Sequence, residues 1–227
     1  VPDRAYKKRR FPKDPVWHPG ETPSMGIGQG YTHLNPLQLC VMTARIANGQ
    51  KSLHPRLIRS IGGVEQRAGS DWGDLPVDKG HLHFVREAMA AVTTSGTASR
   101  VADLGLGPIK MAGKTGTAQH YSYGGGRGVH GTNGPWALRD HAWFVAFAPY
   151  DDPRYAIAVL VEHGGFGAAA AAPRAREIMR TILLKDPDIL KRIEKPAPLP
   201  ALPPDLHDDG ASPPVPIDLP PPPPETT

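Results

Sequence analysis

The chain has 227 residues, with 26 Lys and Arg against 22 Asp and Glu, so its formal net charge is +4. This length suits one domain of ordinary size or a part of a larger one. The single cysteine, Cys40, excludes an intrachain disulfide, and its apolar surroundings predict a small buried side chain and not a nucleophile. No apolar run approaches the roughly 20 residues of a membrane-spanning helix, and no signal peptide is recognisable.

The first 13 residues form a basic arm with six cations: Arg4, Lys7, Lys8, Arg9, Arg10 and Lys13. Such an arm can bind nucleic acid or an anionic membrane surface. Since no nucleic-acid motif accompanies it, the sequence favours a solvated basic loop, and we expect no nucleic-acid partner. Residues 1–34 show little regular pattern, because several prolines interrupt them: Pro12, Pro15, Pro19 and Pro23.

Two amphipathic helices are predicted in the first half of the chain. Asn35 followed by Pro36 is typical of a helix start, and Gly49 of a helix end. Asp78 precedes the second helix. The faces predicted to be buried carry Leu39, Met42 and Ile46 in the first helix, and Leu82, Val85, Met89 and Val92 in the second.

Other features of this half are weaker. Residues 53–61 alternate well enough to predict a strand, and Pro55 makes it an edge strand. His81 and His83 are two residues apart, so on a helix they do not face one another. We therefore predict no metal-binding histidine pair there.

The second half predicts strands at residues 109–119, 142–148 and 155–161. The turn from Ala148 to Pro153 would join the last two into an antiparallel hairpin, and its core is predicted to contain Trp143, Phe144 and Phe147. A third helix is predicted to begin at Pro173, with Ile178, Ile182 and Leu183 facing the core. This order of elements implies an α+β fold, an antiparallel sheet covered by helices.

The first of these strands carries the most informative motif, Gly113-Lys114-Thr115-Gly116-Thr117-Ala118-Gln119. A Lys-Thr-Gly triplet on a strand lines the active site of penicillin-recognising serine enzymes. Residues 107–115 also resemble a phosphate-binding loop, but five residues separate the glycines where that loop needs four. A solvated strand face remains the alternative for a triplet considered alone, so its context has to decide.

The end of the chain differs in composition from the rest. Thirteen of the 27 prolines follow Lys195, and this stretch contains five acids and no Lys or Arg. Such a segment cannot bury enough apolar surface to offset the entropy of ordering it. We therefore predict one domain over residues 1–190 and a disordered Pro-rich tail over residues 191–227.

Several stretches, in this order, resemble class B penicillin-binding proteins: Gly26-Ile27-Gly28-Gln29-Gly30, Asn35-Pro36-Leu37-Gln38-Leu39, Gly96-Thr97-Ala98 and the Lys-Thr-Gly strand. The segments at 139–149, 161–165 and Ala172-Pro173 are similar specifically to the penicillin-binding protein 2 subfamily. The resemblance covers about residues 1–190. It implies the C-terminal portion of a transpeptidase fold of the penicillin-binding protein and β-lactamase type.

The resemblance implies roles for four residues. Lys114 would be catalytic, a cation beside the proton-relay groups of the nucleophile and the terminal carboxylate of the substrate. The hydroxyls of Thr115 and Thr117 would bind that carboxylate, and Gly116 would let the substrate backbone lie close to the strand. The Thr117 amide would belong to an oxyanion hole.

The implied reaction is peptidoglycan D,D-transpeptidation during cell-wall elongation, which cross-links stem peptides through an acyl-serine intermediate. The ligands would be stem peptides and β-lactams, and a membrane glycosyltransferase would be a partner. The expected location is the periplasmic face of the inner membrane, as part of a full-length protein. We expect no cofactor and no metal.

The sequence departs from this family in one respect, since no Ser has Lys three residues later or Asn two residues later. In a complete family member, the nucleophile motif, the Ser-x-Asn motif, the membrane anchor and a pedestal domain would precede residue 1. We therefore expect a chain that is inactive and marginally stable alone. A non-catalytic remnant or binding module for stem peptides or protein partners is an alternative, and a basic nucleic-acid-binding fragment is a third.

Other polar and aromatic residues near the motif have simpler interpretations. His141, Glu162 and His163 could be acid–base groups, but their positions at strand ends favour hydrogen-bonding or packing roles. Tyr121 and Tyr123, just after the motif, are candidates for lining the cleft.

Overall fold

The computed structural model describes residues 2–66, 72–119 and 135–194. In chain order the helices are α1 (Arg4–Arg10), α2 (Glu21–Gly26), α3 (Pro36–Asn48), α4 (Lys79–Thr94), α5 (Gly167–Leu183) and α6 (Pro187–Glu194). The strands are β1 (Ser60–Ile61), β2 (Val64–Glu65), β3 (Ala112–Ala118), β4 (His141–Ala148) and β5 (Tyr155–Val161). The predicted α+β class is confirmed.

The main sheet is antiparallel, with the order β3-β4-β5. Thr115 pairs with Phe144, and Phe144 in turn pairs with Val159, so the central strand joins the Lys-Thr-Gly strand to the hairpin. The predicted hairpin is confirmed, and its turn contains a cis peptide bond between Ala148 and Pro149. In the described part of the chain, the second edge of β3 pairs with no strand.

Helices cover both faces of this sheet. Alternate side chains of β4 point to opposite sides, and both sides carry apolar, buried residues. Ala142, Phe144 and Ala146 pack in one core cluster, whose α5 members are Ala171, Ala172, Ala175, Met179 and Leu183. Val145 and Phe147 pack on the other face against Ala47 of α3 and Met89 of α4. Phe144 and Phe147 are fully buried, as predicted, whereas Trp143 is only half-buried.

The predicted ends of α3 and α4 are confirmed in detail. Asn35 and Gln38 form a reciprocal capping box at the start of α3, and Gly49 ends the helix with a left-handed φ of 73°. Asp78 accepts hydrogen bonds from two backbone amides at the start of α4. Burial of the predicted faces is incomplete, because Met42 and Val85 are 42% and 39% exposed.

The third helix begins earlier than predicted, at Gly167, so Pro173 lies inside it. Alanines occupy residues 168–172, and alanine has the highest helix propensity. Their preference outweighs the cost of Pro173, which has no N–H to offer the carbonyl of Ala169. The helix phase differs too, since Met179 is buried and Ile178 is 46% exposed.

The strand predicted over residues 53–61 is wrong for most of its length. Only Ser60 and Ile61 are extended and paired, in a short hairpin whose turn is Gly62-Gly63, with φ of 56° and 82°. Leu57 is fully exposed. Because Pro55 has no N–H and no neighbouring strand is described there, the alternation of apolar residues has no sheet face to bury.

Residues 1–34 contain two helices, although the sequence predicted none. Asp3 caps α1 by accepting from the amide of Tyr6 at 2.6 Å. Both helices are short, with seven and six residues, and depend on tertiary contacts that a local pattern does not reveal.

Two further predictions meet the limits of the described residues. The boundary expected after residue 190 falls within α6, which continues to Glu194. The rest of the Pro-rich tail lies outside the described residues, as do Tyr121 and Tyr123.

Cys40 is half-buried and its Sγ donates to the carbonyl of Ala156 at 3.5 Å. Burial raises the pKa of Cys40, which disfavours the reactive thiolate.

Candidate active site

The Lys-Thr-Gly triplet lies on the edge strand β3, where the side chains become more exposed along the strand. Ala112 and Gly113 are buried, Lys114 is exposed, and residues 115–118 are half-buried. The Nζ atom of Lys114 donates to the carbonyl of Thr115 at 2.8 Å. Among the residues that the structure describes, no carboxylate forms an ion pair with Lys114.

Three backbone carbonyls of β3 and the residue before it accept hydrogen bonds from side chains. The carbonyls of Met111, Thr115 and Thr117 accept from the side chains of Thr93, Lys114 and Gln29, respectively. In an antiparallel strand, the N–H and C=O of one residue point to the same side, and alternate residues face opposite sides. The odd-numbered residues of β3 therefore direct their backbone polar groups to the edge that β4 does not occupy.

Thr115 contacts a second part of the family-like pattern. Its Oγ1 lies 3.1 Å from Oγ1 of Thr97, which belongs to the short segment after α4. A side chain at Gly96 would lie 2.8 Å from the Cα of Val92, so only glycine fits where the chain leaves the helix. The Thr97 hydroxyl is thereby held beside the triplet.

Gly116 occupies a crowded position. A Cβ there would be 3.2 Å from the Cβ of Trp143, its partner on β4. From the other side, a Cβ at Gly167 would lie 3.0 Å from the Gly116 nitrogen and 2.5 Å from its oxygen. The start of α5 is therefore in close contact with the backbone of the triplet.

Gln29 is a residue at this site that the sequence did not identify. Its Nε2 donates to the carbonyl of Thr117 at 2.7 Å across 88 residues of sequence. The signal was present, because Gly28 and Gly30 flank it in the Gly-x-Gly-Gln-Gly stretch, and both have a left-handed φ. The pattern gave a resemblance but no role for the glutamine.

Comparison with known proteins decides what this arrangement is. The model of the penicillin-binding protein transpeptidase domain matches residues 10–180. The chain belongs to this family. The match includes α3, α4, the Lys-Thr-Gly strand and the hairpin of β4 and β5, so the resemblance found in separate motifs extends through most of the described chain. A nucleotide-binding interpretation of residues 107–115 is wrong, since the segment leads into a strand and not a helix.

The similar proteins are penicillin-binding protein 2 and its relatives. The peptidoglycan D,D-transpeptidase MrdA of Haemophilus influenzae is 32% identical over 183 residues, which cover 79% of this chain and 28% of the relative. Penicillin-binding protein 2 of Pseudomonas aeruginosa has a TM-score of 0.65 and 36% identity, covering 82% of this chain and 37% of that one. Penicillin-binding protein 2 of Helicobacter pylori, solved as a complex with MreC, has a TM-score of 0.63 and 32% identity, covering 81% and 31%. The chain therefore spans about a third of the length of these relatives.

Around the transpeptidase strand, the two histidines have structural contacts. The backbone N–H of His163 donates to Nδ1 of His141 at 2.9 Å, and Nδ1 of His163 lies 3.1 Å from the carbonyl of Arg139. The His163 ring also packs at 4.0 Å between centroids against Trp136. These contacts agree with the hydrogen-bonding and packing roles predicted for the pair, whereas Glu162 is exposed.

The predicted solvated basic loop is wrong in part, because Lys7 is fully buried on α1. Its ammonium pairs with Glu21 and lies 3.1 Å from Asp14. Burial opposes the charge, but the hydrogen bonds to Glu21 and Asp14 outweigh it and raise the pKa of Lys7. The other cations of the arm, Arg4, Lys8, Arg9, Arg10 and Lys13, are exposed as predicted.

One side-chain cluster has the composition of a metal site. Ligand atoms of Asp14, His18 and Glu21 lie within 4.8 Å of one another. The Lys7 ammonium already pairs with the two carboxylates, offsets one of their two negative charges and competes with a metal cation. The cluster therefore fits an ionic contact between α1 and α2 better than a metal centre. His83 lies 3.3 Å from Glu87, one turn along α4, and not beside His81.

An open groove of about 510 Å³ lies between α3 and the segments before α4, lined largely by apolar side chains such as Leu37, Met42 and Val77. Over residues 2–66, 72–119 and 135–194, no helix is both long enough and apolar enough to cross a membrane.

Proposed function

We propose that this chain forms the Lys-Thr-Gly side of the acyl-transfer site of a peptidoglycan D,D-transpeptidase. The observation that carries the proposal is the exposed Lys114 beside Thr115 and Thr117 on a sheet edge that β4 leaves open. The ligands would be the stem peptides of peptidoglycan and the β-lactams that mimic them. Lys114 would be the catalytic cation, and Thr115, Gly116 and Thr117 would bind substrate.

The geometry of β3 supports a specific division of labour. Since the backbone groups of Thr117 point to the open edge, its N–H is available to an oxyanion that forms when a serine attacks the substrate carbonyl. The Thr115 and Thr117 hydroxyls and the Lys114 ammonium would receive the terminal carboxylate. After the first step an acyl ester joins substrate and serine, and the amine of a second stem peptide attacks it and releases the serine.

The nucleophile has to come from outside these 227 residues, because none of their serines has the Ser-x-x-Lys spacing. We expect the working site to assemble when the upstream part of a transpeptidase is joined to this chain. In that form the protein would act at the periplasmic face of the inner membrane, during cell-wall elongation, beside a membrane glycosyltransferase. It would need no cofactor, metal or nucleic acid.

The test is covalent labelling by a fluorescent penicillin. We expect no labelling of the 227-residue chain. A fusion to the part of Pseudomonas aeruginosa penicillin-binding protein 2 that precedes the matched region should be labelled. In that fusion, Lys114→Ala should slow labelling by about 10²-fold or more, since removing one electrostatic group costs this much in comparable sites. Lys110→Ala, an exposed lysine of the segment before β3, is the matched control and should leave the rate unchanged.

Two results would contradict the proposal. The first is an acyl adduct on the unfused chain, and the second is a fusion whose labelling does not depend on Lys114. The alternative of a non-catalytic binding module makes a different prediction. It requires that a stem peptide ending in D-alanyl-D-alanine binds the 227-residue chain itself, while the fusion remains unlabelled.

A further inference from the structure

The open edge of β3 is held by side chains from three different places. Lys114 belongs to the strand itself, and Thr93 belongs to α4, which packs against the strand. Gln29 comes instead from the segment between α2 and α3. The Thr117 carbonyl is thus the point at which the N-terminal residues reach the strand that carries the triplet.

We propose that Gln29 is a positioning residue, which fixes the end of β3 so that the Thr117 N–H keeps its direction toward the open edge. Thr117 uses its carbonyl for Gln29, and its N–H is the group that the proposed function assigns to the oxyanion hole. Only the expected effect on acylation rests on that proposed function. The structural effect on β3 does not.

The backbone around Gln29 is shaped for this contact. Gly28 and Gly30 have φ of 81° and 66°, in the left-handed region that residues other than glycine rarely adopt. The backbone N–H of Gln29 donates to the backbone carbonyl of Ser24 at 3.0 Å, which folds the segment back on α2. A Cβ at Gly30 would also lie 3.2 Å from Oγ of Ser24. The segment therefore has one defined path, and that path directs the side chain at Thr117.

The segment is anchored two residues later by Tyr31. The Tyr31 hydroxyl donates to Glu21 at 2.7 Å, and the buried Lys7 lies 5.8 Å from the centre of its ring. The rings of Tyr6, Phe11 and Trp17 pack around it with centroids 6.2, 5.1 and 5.9 Å away. We call residues 2–31 the N-terminal cluster. Gln29 is the connection through which this cluster acts on β3.

A small displacement at this point has a large chemical consequence. An oxyanion donor is effective only within about 2.7–3.1 Å of the developing charge, and a misplacement of about 1 Å can reduce a rate about 10²-fold. Removing Gln29 leaves the carbonyl to water but does not delete a catalytic group. We therefore expect a loss of about tenfold in acylation rate, smaller than the loss for Lys114→Ala.

The structural part is tested in the 227-residue chain by NMR. Gln29→Ala should move the Thr117 carbonyl ¹³C resonance upfield and increase amide exchange at residues 116–118, while β4 and β5 stay unchanged. Gln50→Ala, which removes an amide that bonds only Asp74 in the described chain, is the matched control. An unchanged Thr117 resonance in Gln29→Ala would overturn the proposal.

Gln29→Glu gives a readout that a merely space-filling residue would not. A carboxylate cannot donate to the Thr117 carbonyl, but a protonated carboxyl can. The Thr117 resonance of Gln29→Glu should therefore return toward that of the parent chain as the pH falls through about 4.3. Gln29→Ala, measured over the same pH range, should show no such return. Identical pH profiles for the two variants would overturn the proposal.

Acylation is measured in the fusion described above. Gln29→Ala should slow labelling by a fluorescent penicillin about tenfold, and Gln50→Ala should not. Faster labelling of Gln29→Ala would overturn the proposal, because it would make Gln29 a competitor for the substrate's place at Thr117. If the parent fusion is not labelled at all, the proposed function fails, and the NMR result still decides the role of Gln29.

Discussion

Different forces stabilise the interior of the N-terminal cluster and the interior of the helix-covered sheet. In the sheet, the side chains through which β4 and α5 contact each other are apolar and fully buried. The removal of apolar surface from water is therefore the main contribution to the stability of this region. In the N-terminal cluster, the buried centre is an ammonium group, surrounded by two carboxylates, a phenol and several aromatic rings. Such a polar centre depends on every partner being present, whereas an apolar core tolerates small losses.

This difference has a functional side. The sheet carries the Lys-Thr-Gly triplet and needs to be rigid, and it obtains rigidity from close packing. The N-terminal cluster reaches that strand through the hydrogen bond of Gln29, and the cluster itself is held by ionic and aromatic contacts. The two regions should therefore respond differently to the same kind of change.

The largest effect is expected in the sheet. Phe144→Ala removes a fully buried ring from the contact between β4 and α5, and should lower the free energy of unfolding by about 3–5 kcal/mol. Denaturant titration measures this. Phe84→Ala on α4, where the ring is 70% exposed, should change it by less than about 0.5 kcal/mol. Equal losses for the two variants would show that the sheet is not the dominant core.

A smaller and more local effect is expected in the N-terminal cluster. Lys7→Met leaves Glu21 and Asp14 without their cation, so α1 and α2 should separate while the sheet stays folded. Hydrogen exchange should become faster in residues 4–31 and remain slow in β4 and α5. Lys8→Met, on the exposed side of the same helix, should change neither region. Global unfolding of Lys7→Met would mean that the two regions form one cooperative unit.

The smallest effect concerns pH, and it tests whether polar contacts matter in the sheet region too. Asp186, just before α6, accepts from the Tyr155 hydroxyl at 2.7 Å and from the amides of Asp188 and Ile189. The Tyr155 hydrogen bond comes first among the causes that lower the pKa of Asp186 below its ordinary 3.8. A lowered pKa means stability that is present above pH 3.8 and is lost as the pH falls toward the folded value.

The measurement compares thermal unfolding of the parent chain and Asp186→Asn between neutral and acid pH. The parent should lose more stability on acidification, because only its residue 186 has a charge to lose. Asp152→Asn, an exposed acid near Arg192, is the control and should keep the slope of the parent. A slope unchanged by Asp186→Asn would assign the acid sensitivity to other carboxylates, with Glu21 and Asp14 the first to examine.

The sequence predicted best where local chemistry decides the structure. Asn35, Gly49 and Asp78 act through bonds to their own helix ends, so their types alone mark the boundaries of α3 and α4. The hairpin of β4 and β5 is likewise marked by its turn residues. The Lys-Thr-Gly strand was placed from its motif, and its position beside β4 follows from the antiparallel order.

The sequence predicted poorly where a distant partner decides. The burial of Lys7 depends on Glu21 and Tyr31, which both lie well after Lys7 in the sequence. The basic stretch considered alone therefore appeared to be a solvated loop. The contact between Gln29 and Thr117 spans 88 residues and has no local signature beyond its two glycines. The error at Pro173 has a different reason. Proline is favoured at the start of a helix, but the alanines before it have a high helix propensity and begin the helix earlier.

The close approach of Gly167 to Gly116 leaves β3 no room to move toward α5. The first turn of α5 lies directly against the strand backbone, without a side chain between them that could rotate or compress. Any recoil of the strand when a ligand presses on it is blocked on that side. Elsewhere the strand is held by hydrogen bonds from side chains, with Gln29 at the Thr117 carbonyl and Thr97 at the Thr115 hydroxyl. The triplet is thus backed by direct backbone contact with α5, and its open edge is held by a side-chain hydrogen bond.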